Sequence, residues 1–158
     1  MAEQTIRQPL EGKTVLITGA SRGIGAAAAR RLGQGGAIVV INYHQNRKAA
    51  ESVLQDIVGC GGRGMIFQAD VTQNDQVEAM VRAAREQFSP VDVLVNNAYF
   101  PFEVGALHEL SWESLRQAIE HELSAFHSCV RACLFGMIEK KFGRVIVVSS
   151  WLVQQLLV

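Results

Sequence analysis

Apolar residues gather in five short clusters along the chain, and the stretches between them repeat apolar positions every three or four residues. The clusters are Lys13–Thr18 (KTVLIT), Ala37–Asn42 (AIVVIN), Gly64–Gln68, Val91–Val95 (VDVLV) and Val145–Val148 (VIVV). They are short, mostly rich in β-branched residues, and each follows closely on Gly or Pro. Such runs predict strands buried on both faces. Gly23–Leu32, Arg47–Val58 and Gln76–Phe88 carry helical spacing instead, as in Val77, Met80, Val81 and Ala84. Ser111 is placed to cap a fourth helix running to about Lys140, with Leu115, Ala118, Ile119, Leu123, Phe126, Val130 and Leu134 facing inward. Strands alternating with helices predict an α/β fold, a doubly wound parallel sheet covered on both sides.

Composition narrows the class. Of 158 residues, 49% are apolar and 19% charged, and 15 basic side chains balance 15 acidic ones. A disordered chain would have less to bury and more net charge. A nucleic-acid binder would carry a surplus of Lys and Arg. No run of 18 apolar residues occurs, and the most apolar stretch, 145–158, is interrupted by Ser149, Ser150, Gln154 and Gln155. The first ten residues lack the apolar core of a secretory signal. No membrane partner and a cytoplasmic location are therefore expected. Three cysteines, Cys60, Cys129 and Cys133, make no disulfide framework; the last two, four apart on a helix, read as small buried hydrophobes. No metal site is expected: His121-Glu122 is followed by alanine at position 125 and His108-Glu109 by Trp112, so each lacks the second histidine of a zinc motif.

The most specific chemistry lies at Thr18–Gly25, TGASRGIG, directly after strand one and opening helix one. Glycines there permit a tight turn and let the backbone approach a pyrophosphate at a helix N-terminus, where free N–H groups and the helix dipole favour anions. With this turn the chain resembles the short-chain dehydrogenase/reductase family, in particular its 3-oxoacyl-carrier-protein-reductase-like members. Gly19, Gly23 and Gly25 match the family's cofactor glycines. Asp70-Val71 matches the pair that contacts adenine, and Asn96-Asn97-Ala98 matches the Asn-Asn-Ala-Gly motif. Gly143-Arg144-Val145 leads to Ser149-Ser150, the segment that delivers the catalytic serine, here Ser150. The resemblance implies a single NAD(P)-binding Rossmann-type domain over residues 1–158. It implies strand order 3-2-1-4-5, cut short of the family's seven strands. The cofactor-binding residues it implies, together with the end of strand two, are Thr18, Gly19, Ser21, Arg22, Gly23, Ile24, Gly25, Asn42, Tyr43, Asp70, Val71, Asn97 and Ala98.

Cofactor choice follows from charge. A carboxylate at the end of strand two would accept a hydrogen bond from the ribose 2′-hydroxyl of NAD. Asn42 and Tyr43 stand there, with no acid before Glu51. Arg22, in the turn, suits a 2′-phosphate, with Arg47 or Lys48 to assist. NADP(H) is favoured over NAD(H).

The family's chemistry is hydride transfer between the nicotinamide and a carbonyl or alcohol carbon, with a Tyr-x-x-x-Lys pair for proton transfer. The only tyrosines are Tyr43 and Tyr99, followed four residues on by Arg47 and Glu103. Tyr99 also replaces the motif glycine, and Glu122 stands where the family has an asparagine that supports a water relay to the lysine. Three functions fit: the cofactor half of an oxidoreductase inactive alone, a silent NADP-binding or interaction subunit, or a non-functional remnant. The fifth strand would form an exposed apolar edge, so a homo- or hetero-oligomer covering it and the tail is expected.

Overall fold

The computed structural model describes residues 10–103, 105, 106 and 108–149. Its nine elements follow the chain as β1 (Thr14–Ile17), α1 (Gly23–Gln34), β2 (Ile38–Tyr43), α2 (Arg47–Gly59), β3 (Arg63–Gln68), α3 (Asn74–Gln87), β4 (Val93–Asn96), α4 (Trp112–Glu139) and β5 (Arg144–Val147). Every element read from the sequence is present, within two residues of its expected bounds. All strand pairs are parallel, in the order β3-β2-β1-β4-β5. The doubly wound reading holds. The tail from Ser150 lies outside the described residues.

Alternation within each strand divides the core in two. Val15 and Ile17 of β1, Val39 and Ile41 of β2, and Val93 and Val95 of β4 turn toward α1 and α2. Leu16, Val40 and Leu94, one residue out of step, turn toward α3 and α4. This two-sided burial explains why the central strands read as unbroken apolar runs rather than alternating ones. Edge strand β3 is only partly buried.

The long helix departs from expectation. Its buried residues are Ala125, Ser128, Cys129, Cys133, Gly136 and Met137. Ile119, Leu123, Phe126 and Leu134, expected to face inward, are exposed, and Leu115, Ala118 and Val130 are half-buried. From residue 125 onward α4 carries two apolar stripes, and the larger side chains marked the wrong one. The inner stripe must be small because the helix lies close to its neighbours. A Cβ on Gly136 would come within 2.8 Å of Pro90 Cβ. The buried-hydrophobe reading of Cys129 and Cys133 is correct: burial pushes both thiols up to about 12, assisted at Cys133 by its neighbour.

Ser111 caps α4 as expected, its Oγ accepting the Ser114 N–H at 3.0 Å. Ser111→Ala should cost about 1 kcal/mol, lowering the thermal midpoint by roughly 2–4 °C for a domain of this size. Differential scanning calorimetry would check it; an unchanged midpoint would show that the cap is dispensable. β5 takes the position expected of it, paired on one side to β4 with its residues exposed. Among the described residues no helix is long and apolar enough to cross a membrane.

Candidate functional site

In a sheet of this order, the chain leaves β1 toward one face, into α1, and β4 toward the other, into α4, and a crevice opens at their C-terminal ends. The segment Thr18–Arg22 turns over that crevice and delivers the chain into α1. Gly19 and Gly23 hold φ of 62° and 57°, a conformation that costs an L side chain about 1–2 kcal/mol. Gly25 answers to a different constraint, close approach. A Cβ there would lie 2.5 Å from Asn97 Nδ2 and 2.9 Å from Gly19 O.

The start of α1 is open. Arg22 is its N-cap and makes no capping bond through its side chain, and no acidic residue occupies the first turn. By contrast, Asn46 caps α2 and Ser111 caps α4. The orphan N–H groups of α1, with the positive end of its dipole, are thus directed at the crevice mouth. Ser21 is half-buried, while Arg22, Gly23 and Ile24 are exposed beside it. Among the described residues, no carboxylate pairs with Arg22.

Three polar side chains lock the turn. Thr18 Oγ1 accepts the N–H groups of Asn97 and Ala98, each at 2.9 Å. Asn97 Nδ2 donates back to Thr18 O at 2.9 Å and Gly19 O at 3.3 Å. Asn42 Oδ1 accepts the Gly19 N–H at 3.0 Å, and its Nδ2 donates to Ala69 O at 3.0 Å. The result is a turn bolted to β4 on one side and to β2 and β3 on the other.

On the far side of the crevice, Asp70 caps its own loop, Oδ1 accepting from Thr72 N at 2.9 Å and Thr72 Oγ1 at 2.8 Å. Burial works against its charged form, but these two bonds, with the charges of His44 and His121, hold the carboxyl below the usual range. Gln76 Oε1 takes the Asp70 N–H at 2.8 Å.

The candidate residues from the sequence therefore divide. Gly19, Ser21, Arg22, Gly23, Ile24, Asp70, Asn97 and Ala98 come together around the crevice with at least partial exposure. Four others offer no free side chain. Tyr43 is 3% exposed, its ring packed in the core beneath α1 and α2. Val71 is buried on the α3/α4 side. Thr18 and Asn42 are buried and spend their polar atoms inside the protein. In these four, strand alternation or internal bonding turns the side chains inward, and main-chain contact stays open to Tyr43 and Val71. Gln76 was not expected at all, since a glutamine in the first turn of a helix carries no distinguishing sequence signal. Tyr99 is 69% exposed and edge-on to Phe102 at 6.3 Å. Ser149 is exposed just after β5; Ser150, the expected substrate-oxygen serine, lies outside the described residues.

The architecture is shared widely. A short-chain type dehydrogenase/reductase from Mycobacterium marinum superposes with a TM-score of 0.85 at 28% identity, over 95% of this chain and 60% of that one. A metagenomic short-chain oxidoreductase solved in complex with NADP superposes with a TM-score of 0.80 at 35% identity, over 89% and 63%. In sequence, a 3-oxoacyl-[acyl-carrier-protein] reductase of Synechocystis is 36% identical over 141 residues, 89% of this chain and 57% of its own length. An uncharacterized oxidoreductase of Methylorubrum extorquens is 43% identical over 111 residues, 70% of this chain and 44% of its own. The chain thus spans about half the length of the curated relatives it matches. The sequence pattern of the short chain dehydrogenases runs through residues 13–156, from the first strand past the fifth, and the chain belongs to that family.

Proposed function

We propose that this chain is the NADP(H)-binding part of an oxidoreductase of the short-chain type, one that moves hydride between a nicotinamide and a carbonyl or alcohol carbon. The observation that carries the reading is the locked glycine turn presenting the uncapped start of α1 at the β1/β4 crevice. The residues suit a dinucleotide because the turn presents main chain at the open start of α1: Gly19 packs on Ala98 and Gly25 on Asn97 and Gly19 O, with no room for side chains at either position. Backbone N–H groups of Ser21–Gly25 would hold the pyrophosphate, and Asp70 with the Val71 main chain would flank the adenine. Asn97 and Ala98 would line the nicotinamide side. When bound, the nicotinamide supplies the hydride or accepts it.

The preference for NADP(H) rests on charge. Arg22 is exposed and unpaired within the described residues, and no acid stands at the end of β2. Arg47 is a weaker candidate than the sequence suggested, because Glu51 engages its Nε at 2.7 Å. Free thiols at Cys60, Cys129 and Cys133 agree with a reducing, cytoplasmic setting. The apolar, one-sided edge of β5 supports a partner, a second copy or a complete homologue, lying along it.

Neither tyrosine is built for proton transfer. Tyr43 has its ring in the core, and Tyr99 has Glu103 rather than lysine four residues on.

A fluorescence titration tests the assignment. NADPH should give a saturable signal, and Arg22→Glu should raise its Kd about tenfold or more while changing NADH far less, because only NADPH presents a phosphate to that side chain. No saturable signal from the unmodified chain would sink the reading.

A further inference from the structure

Asn42 is the one polar side chain of β2 with its surface almost wholly removed from water, at 2% exposure. A buried amide must place both its acceptor and its donors, or lose about 1–3 kcal/mol for each group left unpaired. Here the placements have a pattern. Oδ1 accepts from Gly19 in the turn after β1. Nδ2 donates to Ala69 O, just beyond the end of β3, and at 3.5 Å to Tyr43 O. The main-chain oxygen of Asn42 also accepts the Ala20 N–H at 2.8 Å. One residue therefore ties together the ends of three neighbouring strands.

The two regions it ties are the two that face opposite parts of a dinucleotide in the reading above. Gly19 belongs to the pyrophosphate turn, and Ala69 leads directly into Asp70. That second region is itself stiff, since Gln76 holds the Asp70 N–H and Thr72 holds its carboxylate. A displacement of Ala69 would thus carry Asp70 with it. Only a side chain with an acceptor and a donor on one short stem can make both bonds. Ionised aspartate, of the same shape, accepts only.

We propose that Asn42 is a positioning residue: it sets the spacing between the glycine turn and the Ala69–Asp70 corner without touching the nucleotide. The inference rests on the NADP(H) reading. It also reverses the simplest expectation for this position. A carboxylate at the end of β2 would ordinarily be introduced to favour NAD; at Asn42 it would face the Ala69 carbonyl inside the protein and never reach a ribose.

The test measures NADPH, NADH and 2′-AMP binding to the full chain and to Asn42→Leu and Asn42→Asp. Both variants should weaken NADPH about tenfold or more. In Asn42→Leu, which is neutral, NADH should fall in parallel with NADPH. 2′-AMP, which has no pyrophosphate and spans only one of the tied regions, should change less than threefold. Asn42→Asp should bind NADH no more tightly than the unmodified chain does. Tighter NADH binding by Asn42→Asp, or an equal loss for all three ligands, or no loss for any, overturns the proposal. Should the variants fail to fold, hydrogen exchange on the unmodified chain decides. The Gly19 amide should be protected before NADPH is added and no more protected afterwards; protection gained only with NADPH would overturn the proposal. If the unmodified chain binds neither dinucleotide, the functional reading falls, and the proposal with it.

Discussion

Replacing Gly25 by valine should lower the affinity for NADPH by at least about a hundredfold, the largest functional effect expected of any single change in this chain. The reason is local and steric. Even the first carbon of a side chain at this position would sit 2.5 Å from Asn97 Nδ2, 2.9 Å from Gly19 O and 3.0 Å from Ala20 Cα. Two of these three are backbone atoms of the turn and cannot swing aside. The third is the amide that bolts the turn to β4, so its retreat would release Thr18 O and Gly19 O together. The turn and the start of α1 would then separate from the geometry a pyrophosphate requires. Stability should suffer less, by about 1–3 kcal/mol, as for other overpacked sites. Gly23→Ala is the control: its Cβ would meet nothing, and only the φ of 57° opposes it. That variant should melt within a few degrees of the unmodified chain, and a loss of affinity there would report how closely the backbone approaches the nucleotide. Titration of the variants alongside thermal melting separates the outcomes. NADPH affinity in Gly25→Val matching the unmodified chain would show that the cradle is not where the nucleotide binds.

The largest effect on stability is expected at the opposite end of the sheet. Asp92 is fully buried, its Oδ2 accepting the Thr14 N–H at 2.9 Å. Its Oδ1 faces the ammonium of Lys140 at 2.5 Å and that of Lys13 at 3.9 Å. Through its main chain it donates to Thr14 O and accepts from Arg144 N, so it joins β1, β4 and β5. Asp92→Ala orphans the buried Thr14 N–H and removes the carboxylate shared by two partly exposed lysines, at a cost of about 1–3 kcal/mol. At roughly 2–4 °C per kcal/mol for a domain of this size, the midpoint should fall by about 5 °C. Lys140→Met should cost only about 1 kcal/mol, since its side chain is 30% exposed and Lys13 remains beside the carboxylate. NADPH affinity of the folded Asp92→Ala protein should be unchanged. A midpoint within 2 °C of the unmodified chain would mean that the buried carboxylate adds nothing net.

The strands were legible because two-sided burial writes itself as unbroken apolar runs, and glycine chemistry marks where they end; their order was legible only through the family resemblance. The face of α4 was not legible. Periodicity finds stripes but does not say which stripe meets the sheet, and on α4 the tight approach at Pro90 selected the smaller side chains. The site was legible as a location rather than as a set of contacts. Tyr43 and Val71 stand at the right places in the chain, yet strand alternation and helix packing turn their side chains inward. Asn42 carried a signal, a polar residue in an otherwise apolar strand. Whether such a residue serves a ligand or the fold depends on the distances to Gly19 and Ala69, which belong to three-dimensional structure alone.

The bolts around the turn have one property with practical reach: every group in them is uncharged. Thr18, Asn97, Asn42 and the peptide groups they join neither gain nor lose protons between acid and alkaline conditions, and salt screens them little. The shape of the turn is therefore constant across buffers, and on the proposed NADP(H) reading ionic strength would act on binding through Arg22. Asp70, with its lowered carboxyl, contributes stability above the ordinary carboxylate range and loses it as the pH falls through that range and below. On the same reading, a salt series of nucleotide binding and an acid series of stability would report on two different residues, Arg22 and Asp70.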